Sequence, residues 1–255
     1  MKLFSRKSNE KTEKWNIRTM FGPNMNFAAT EAFKVLRTNL MFSFSNEGKG
    51  HVIGITSAVQ NEGKSSTACN IAYVLAESGA KVLLLEADLR KPTIASKLVL
   101  AKTPGLTNLL VSNQEYGDVV QRCAAAMDMN IITCGDIPPN PSELLTSGRM
   151  QRLLEQLKEE YEYIIVDLPP VNVVSDALAI SRFLDGILLV VRNEYSDKKC
   201  LTEAMRQLSM VDVRILGFVY RDTYMAKKKY GYRYRYGSRY YKYKYKYYSS
   251  YYGKK

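Results

Sequence analysis

The sequence predicts an α/β fold: a doubly wound, mostly parallel sheet covered by helices. Three observations carry the prediction. Short apolar runs alternate with helical patterns from residue 28 to residue 219. The runs are apolar throughout, not at every second position, as in strands buried on both faces. Strands separated by helical stretches build βαβ units, and those build parallel sheets.

Taken in order, residues 1–25 are polar and basic and read as a flexible N-terminal arm. Residues 28–44 form an amphipathic helical pattern. Val52–Thr56 reads as a strand and Ser65–Ser78 as a helix, followed by a strand at Lys81–Leu85. A short strand at Asn130–Thr133 precedes a helix at Ser147–Glu160. Tyr163–Val166 and Gly186–Val191 read as strands, with a helix at Ser175–Phe183 between them. A helix at Lys199–Met210 and a strand at Ile215–Val219 complete the pattern. Beyond Ala226 no aliphatic residue is left to anchor a core, so residues 224–255 read as a disordered tail. The expected organisation is an arm at 1–25, one domain at 26–223 and the tail.

The 255 residues are 46% hydrophobic, enough for a sizeable core, and the net charge is +12. That charge sits at the ends: +11 in 225–255, +4 in 1–20, and −3 in the body between them. An ordinary body with two basic ends is not a basic domain. The four cysteines, Cys69, Cys123, Cys134 and Cys200, lack metal-ligand spacing and read as reduced thiols. No run approaches the roughly 20 apolar residues needed to span a bilayer, and residues 1–7 lack the apolar centre of a signal peptide. The expected location is the cytoplasm, at the inner face of the membrane through a partner.

The densest chemistry lies between residues 52 and 66. An apolar strand runs into Gln60-Asn61-Glu62-Gly63-Lys64-Ser65-Ser66, and a helix follows. Gly63-Lys64-Ser65 at a strand-to-helix turn is the chemical half of a phosphate loop. Glycine lets the backbone approach an anion, and the helix N-terminus adds positive potential. Lys64 would reach the β- and γ-phosphates of ATP and Ser65 would hold Mg²⁺. Ala58 replaces the first glycine of the motif. Two further apolar strands end in acids, at Glu86-Ala87-Asp88-Leu89-Arg90 and at Asp167. Ligands of open α/β sheets bind at the carboxyl ends of strands, so these acids should converge on the loop. Glu86, Asp88 and Asp167 are candidate Mg²⁺ ligands, Asp88 also the group that orients the attacking hydroxyl, and Arg90 a candidate for the γ-phosphate or a subunit contact.

The tail carries thirteen tyrosines among lysines and arginines: Tyr224, Tyr230, Tyr232, Tyr234, Tyr236, Tyr240, Tyr241, Tyr243, Tyr245, Tyr247, Tyr248, Tyr251 and Tyr252. A folded core has no use for such a run, because every phenol neighbours a charge that must stay hydrated. A phosphoryl-transferring enzyme can use it as substrate. Each phosphate adds about −1.5 to −2 charges, so six or seven would neutralise the tail.

At these motifs the chain resembles the bacterial tyrosine kinases of the capsular and exopolysaccharide type, in the form with a separate cytoplasmic kinase. The resemblance covers residues 28–220 and the tail, and includes Ile137–Leu145 and Asp167-Leu168-Pro169-Pro170-Val171. It implies a P-loop kinase that uses ATP and Mg²⁺ and phosphorylates tail tyrosines of neighbouring copies. It also implies a separate transmembrane activator that acts as polysaccharide co-polymerase, a ring homo-oligomer (an octamer is one possibility), and a cognate phosphotyrosine phosphatase. No nucleic-acid partner is expected. Glu31, Lys34 and Arg37, at spacings of three on one helix, are expected on one face at the ring contact. The chain departs from the family at Gln60-Asn61 (usually Pro-Gly), at Glu86 (usually Asp), and at Tyr220-Arg221 (often Leu-Asn, where the resemblance implies an adenine contact).

Three other readings compete, one of them a structural role in which the loop binds ATP without turnover because of Glu86. A partitioning or division-site ATPase would carry a second lysine five residues before Lys64, where Val59 stands. A nucleotide-binding regulator whose basic aromatic tail holds anionic lipid or nucleic acid would fit the tail alone.

Overall fold

The computed structural model describes residues 21–44, 50–112, 114–123, 126 and 128–222. The tail, its thirteen tyrosines and residues 1–20 of the expected arm lie outside the described residues.

Nine α-helices and seven strands are found among the described residues. They run α1 (Phe27–Ser43), β1 (His51–Ser57), α2 (Lys64–Ala76), β2 (Val82–Glu86), α3 (Ile94–Leu98), α4 (Leu106–Val111) and α5 (Tyr116–Val119). β3 (Gln121–Arg122), β4 (Met129–Ile132), α6 (Pro141–Leu145), α7 (Gly148–Glu160) and β5 (Tyr163–Asp167) follow. The series ends with α8 (Asp176–Ile180), β6 (Gly186–Arg192), α9 (Lys198–Met210) and β7 (Ile215–Arg221). The strands form one sheet in the order β3-β4-β2-β5-β1-β6-β7. Every pair is parallel except the short β3–β4 pair at one edge.

The apolar strands are buried on both faces, as their composition requires. Ile53, Ile55, Leu84, Ile165, Leu188 and Val190 pack beneath α2. Leu83, Leu85, Ile164, Val166, Ile187 and Leu189 line the opposite face with α7 and α9. α2 is buried almost along its whole length because Ala68, Cys69, Ala72 and Ala76 let it lie close to the sheet. Each fully buried Leu, Ile or Val contributes roughly 1.5–3 kcal/mol.

Residues 21–25 depart from the arm expected at 1–25. The Phe21 ring meets Tyr73 edge-on at 5.7 Å, and the Gly22 amide donates to Asn70 Oδ1 at 3.2 Å. Phe21 and Met25 are partly buried against the core and bind this segment to α2. The short elements α3, α4, α5, β3 and α6, all of six residues or fewer, were absent from the expected pattern. A helix of one or two turns shows too little periodicity to be read.

Candidate active site

The loop between β1 and α2 takes its shape from left-handed backbone at two positions. Asn61 has φ 64° and Gly63, the N-cap of α2, has φ 98°. The loop is braced from within. The buried Glu62 carboxylate accepts from the Val59 amide at 2.9 Å and from the Ser196 hydroxyl. Arg192 Nη1 donates to the Asn61 carbonyl at 3.0 Å, and Lys91 Nζ donates to Gln60 Oε1 at 3.2 Å. Glu62 was expected among the nucleotide-binding residues. Its side chain is instead an internal strut, so only its backbone is left for an anion. Ser65 is buried and Ser66 half-buried in the first turn of α2.

Lys64 is where three chain segments meet. Its ammonium lies 2.6 Å from Asp88 Oδ2, 3.6 Å from Asp167 Oδ1 and 3.4 Å from Ser65 Oγ. Burial pushes the Lys64 pKa down, but the two carboxylates more than reverse this and hold it above the ordinary value. Asp167 is displaced upward. Burial drives the shift, and Lys64 and the nearby Ser65 hydroxyl oppose it. Neither Asp167 oxygen has a partner in hydrogen-bond geometry. Asp88 is steadied by the Lys91 amide, which donates to Oδ1 at 3.1 Å.

This donor set suits a small hard cation. Mg²⁺ takes oxygen ligands, commonly one or two carboxylates completed by phosphate and water. Asp167, with two buried unpaired oxygens beside the Ser65 hydroxyl, and Asp88 can supply the protein's share. Among the described residues no cluster of three His, Cys, Asp or Glu side chains could hold a metal unaided.

Two expected site residues are turned elsewhere. Glu86 was a candidate metal ligand, but Oε1 accepts from the Thr93 and Ile94 amides at 2.5 and 2.6 Å and Oε2 from the Cys134 amide at 3.1 Å. Strand order explains the correction. β5 stands between β2 and β1, so Glu86 starts one strand, about 4.8 Å, farther from Lys64 than Asp167 does. The carboxylate leans the other way, towards the end of β4. Burial raises its pKa and the three amides oppose that shift. Arg90 is likewise committed. Its Nε and Nη2 donate to Asp176 Oδ2 and Oδ1 at 2.7 and 3.0 Å. The fully buried Asp176 also accepts from the Ser142 hydroxyl, which ties the Ile137–Leu145 stretch to the second motif.

Glu86→Gln is therefore expected to act on stability. Its amide nitrogen would oppose a backbone donor, leaving a buried N–H unpaired at a cost of about 1–3 kcal/mol. Urea unfolding of the variant beside the parent measures this.

Comparison with known proteins places the arrangement. A family model described as an AAA domain matches residues 50–215. The tyrosine-protein kinase YwqD of Bacillus subtilis (strain 168) is 36% identical over 204 residues, covering 80% of this chain and 85% of that protein. The putative tyrosine-protein kinase CapB of Staphylococcus aureus is 33% identical, covering 82% and 90%. The chain belongs to the bacterial tyrosine-protein kinases. The kinase domain of Escherichia coli tyrosine kinase ETK superposes with a TM-score of 0.73 at 34% identity, covering 82% of this chain and 80% of that one. The chimerical protein CapA2B2 superposes at 0.71 and 33% identity, covering 79% and 85%. A MinD complexed with Mg-ADP from Pyrococcus horikoshii, at 21% identity and 0.57, shares the fold.

On this kinase, Glu31 and Lys34 pair at 3.1 Å on the exposed side of α1. Arg37 does not share their face. It turns inward, and Nη1 donates to the Val74 carbonyl in the last turn of α2 at 2.9 Å. Each step of three residues falls about 60° short of a full turn, so Arg37 lies about 120° from Glu31. Among the described residues no helix is long and apolar enough to cross a membrane. Asp176 and Arg192 were not foreseen as parts of this site, while Arg221 was marked only as a departure at the implied adenine contact and Ser142 only as part of the Ile137–Leu145 stretch. Arg192 carries only the signal of a polar residue at the end of an apolar strand, and Asp176, the first residue of α8, carries none.

Proposed function

We propose that this kinase transfers the γ-phosphoryl group of ATP to tyrosine hydroxyls, first to those of residues 224–252 on neighbouring copies. The observation that carries the reading is the Lys64 ammonium, held at the N-terminus of α2 between Asp88 and Asp167. The two carboxylates occupy an ammonium suited to phosphate oxygens. An incoming triphosphate takes Lys64 over, and Asp88 is released to the acceptor phenol. The phenol oxygen bonds to the γ-phosphorus, the bond to the ADP oxygen breaks, and the phenolic proton passes to Asp88 or to water. Because the transition state is loose, positioning and charge neutralisation dominate. Mg²⁺, when bound through Ser65, Asp167 and Asp88, supplies further neutralisation of the phosphate oxygens. Gln60, Asn61, Glu62, Gly63 and Ser66 contribute through the loop backbone and the first turn of α2.

The reading extends to assembly. The paired Glu31 and Lys34 remain available for a ring contact, while Arg37 supports it from within. Membrane association would come through a separate transmembrane activator in capsule or exopolysaccharide synthesis, with a phosphatase resetting the tail. Phosphates on the tail would cancel its +11 charge and release copies from one another.

The test is incubation of the full chain with ATP·Mg²⁺ and the cytoplasmic peptide of a candidate activator, followed by mass spectrometry. Phosphate on tyrosines 224–252, lost on chelation with EDTA, is expected. Modification confined to serine or threonine, or nucleotide binding with no transfer, would reject the reading.

A further inference from the structure

Two arginines stand at the carboxyl ends of β6 and β7. Arg192 and Arg221 are register partners in this parallel pair, so their side chains leave the same face of the sheet. Val190 and Val219, two residues earlier on each strand, pack into the core beneath α2. The cations therefore lie on the face that carries α2 and the phosphate loop. The Arg221 guanidinium rests on the loop itself: a Cβ built on Gly63 would come within 1.8 Å of its Nη1. Arg192 has partners there, the Asn61 carbonyl at 3.0 Å and the Tyr195 ring at 4.9 Å. The Arg221 carbonyl accepts from the Asn193 amide at 2.8 Å, but its guanidinium has neither hydrogen bond nor ion pair among the described residues. Burial, and then the neighbouring Arg192, depress its pKa. A half-buried guanidinium beside a second one, with no acid paired to it among the described residues, is suited to an anionic ligand.

Sheet order says which part of a nucleotide would supply one. β1 lies between β5 and β6. Lys64 reaches Asp167 and Asp88 on the β5 side. A triphosphate whose terminal phosphate meets Lys64 there crosses the loop and leads its nucleoside towards β6 and β7. The phosphate nearest that end is the α-phosphate. We propose that Arg221, supported by Arg192, binds the α-phosphate of the nucleotide and is a binding determinant that the phosphate-loop motif does not include. The proposal rests on the reading of the 58–66 loop as the nucleotide site.

The experiment is calorimetric titration of the full chain with ADP·Mg²⁺ and GDP·Mg²⁺, comparing the parent with Arg221→Ala and Arg221→Lys. Loss of a charge-assisted contact should weaken both nucleotides roughly 10- to 100-fold in Arg221→Ala. Lysine should restore only part, as a point charge without the planar fork. The nucleotide-free melting temperature of Arg221→Ala should change little, since the packing of the guanidinium on Gly63 is lost but a like-charge neighbour of Arg192 is removed. Unchanged affinity in Arg221→Ala would overturn the proposal. So would a loss seen for ADP but not GDP, which would indicate a base contact. A lowered melting temperature with normal affinity would mark a structural residue and overturn it as well. A parent chain that binds neither nucleotide would instead remove the reading on which the proposal stands.

Discussion

Lys64→Met abolishes tail phosphorylation as the expected result, with the rate falling about 10³-fold or more. Among the described residues the Lys64 ammonium is the cation in direct contact with Asp88 and Asp167 at the first turn of α2. Methionine keeps the unbranched apolar stem and is one heavy atom shorter, so the loss chiefly reports the missing charge. The same change should lower nucleotide-free stability. Removing one partner of a buried ion pair leaves carboxylates uncompensated, at a cost of about 3 kcal/mol near neutral pH. The pH dependence distinguishes this from simple loss of packing. Asp167 already binds a proton more readily folded than unfolded, because burial raises its pKa. Its favourable contribution is complete below the ordinary carboxylate value and is lost as pH rises through the raised folded value. Without Lys64 that window extends upward, so the stability deficit should shrink on acidification from about pH 8 to about pH 5. Melting temperatures across that range, with quantified phosphotyrosine, test both halves. A deficit independent of pH would mean that the carboxylates are not the cause.

The second large effect concerns Asp167. Asp167→Asn should reduce phosphoryl transfer by about 10²–10³-fold, since one of the proposed Mg²⁺ ligands is lost. Yet the variant should be more stable than the parent without nucleotide. Both oxygens of Asp167 are buried without hydrogen bonds, and a neutral amide of the same shape avoids burying a charge. Lys64 keeps Asp88 at 2.6 Å. The gain should be on the order of 1 kcal/mol or more at about pH 8 and shrink on acidification to about pH 5, because burial raises the Asp167 pKa and the parent takes up a proton there more readily than the unfolded chain. Urea unfolding at the two pH values measures it. A loss of stability at the higher pH would show that Asp167 supports the nucleotide-free fold and is not held there for its ligand. Opposite signs for activity and stability are expected of a buried carboxylate that has no hydrogen bond and is kept for a metal.

The two variants separate what was legible from what was not. Gly63-Lys64-Ser65 was readable because strand, loop and helix are consecutive, and a phosphate loop is a local object. Asp88 and Asp167 were readable because ligands of parallel sheets collect at strand carboxyl ends, and both follow apolar runs. Glu86 has the same local signature and was misplaced. Nothing local says whether a strand-end acid leans towards β1 or towards β4. Arg37 was misplaced because a three-residue spacing drifts around a helix that turns every 3.6 residues. The Arg90–Asp176–Ser142 connection joins segments 34 to 86 residues apart and has no sequence signal. It exists because α6 and α8 pack beside the second motif.

By itself, the order of residues determined the fold class, the strands that form the sheet, the strand–loop–helix around Gly63-Lys64-Ser65 and the acids that follow the strands. These are consequences of local pattern: apolar runs for strands buried on both faces, glycine at a left-handed N-cap, an acid where an apolar strand ends. The tertiary structure alone decided which carboxylates meet Lys64, that Glu86 and Arg90 are held elsewhere, and that Arg192 and Arg221 stand together over the loop. Strand order sets those distances. Two side chains next to each other across a parallel sheet can be many residues apart along the chain, and only the packed sheet brings them within reach of one charge.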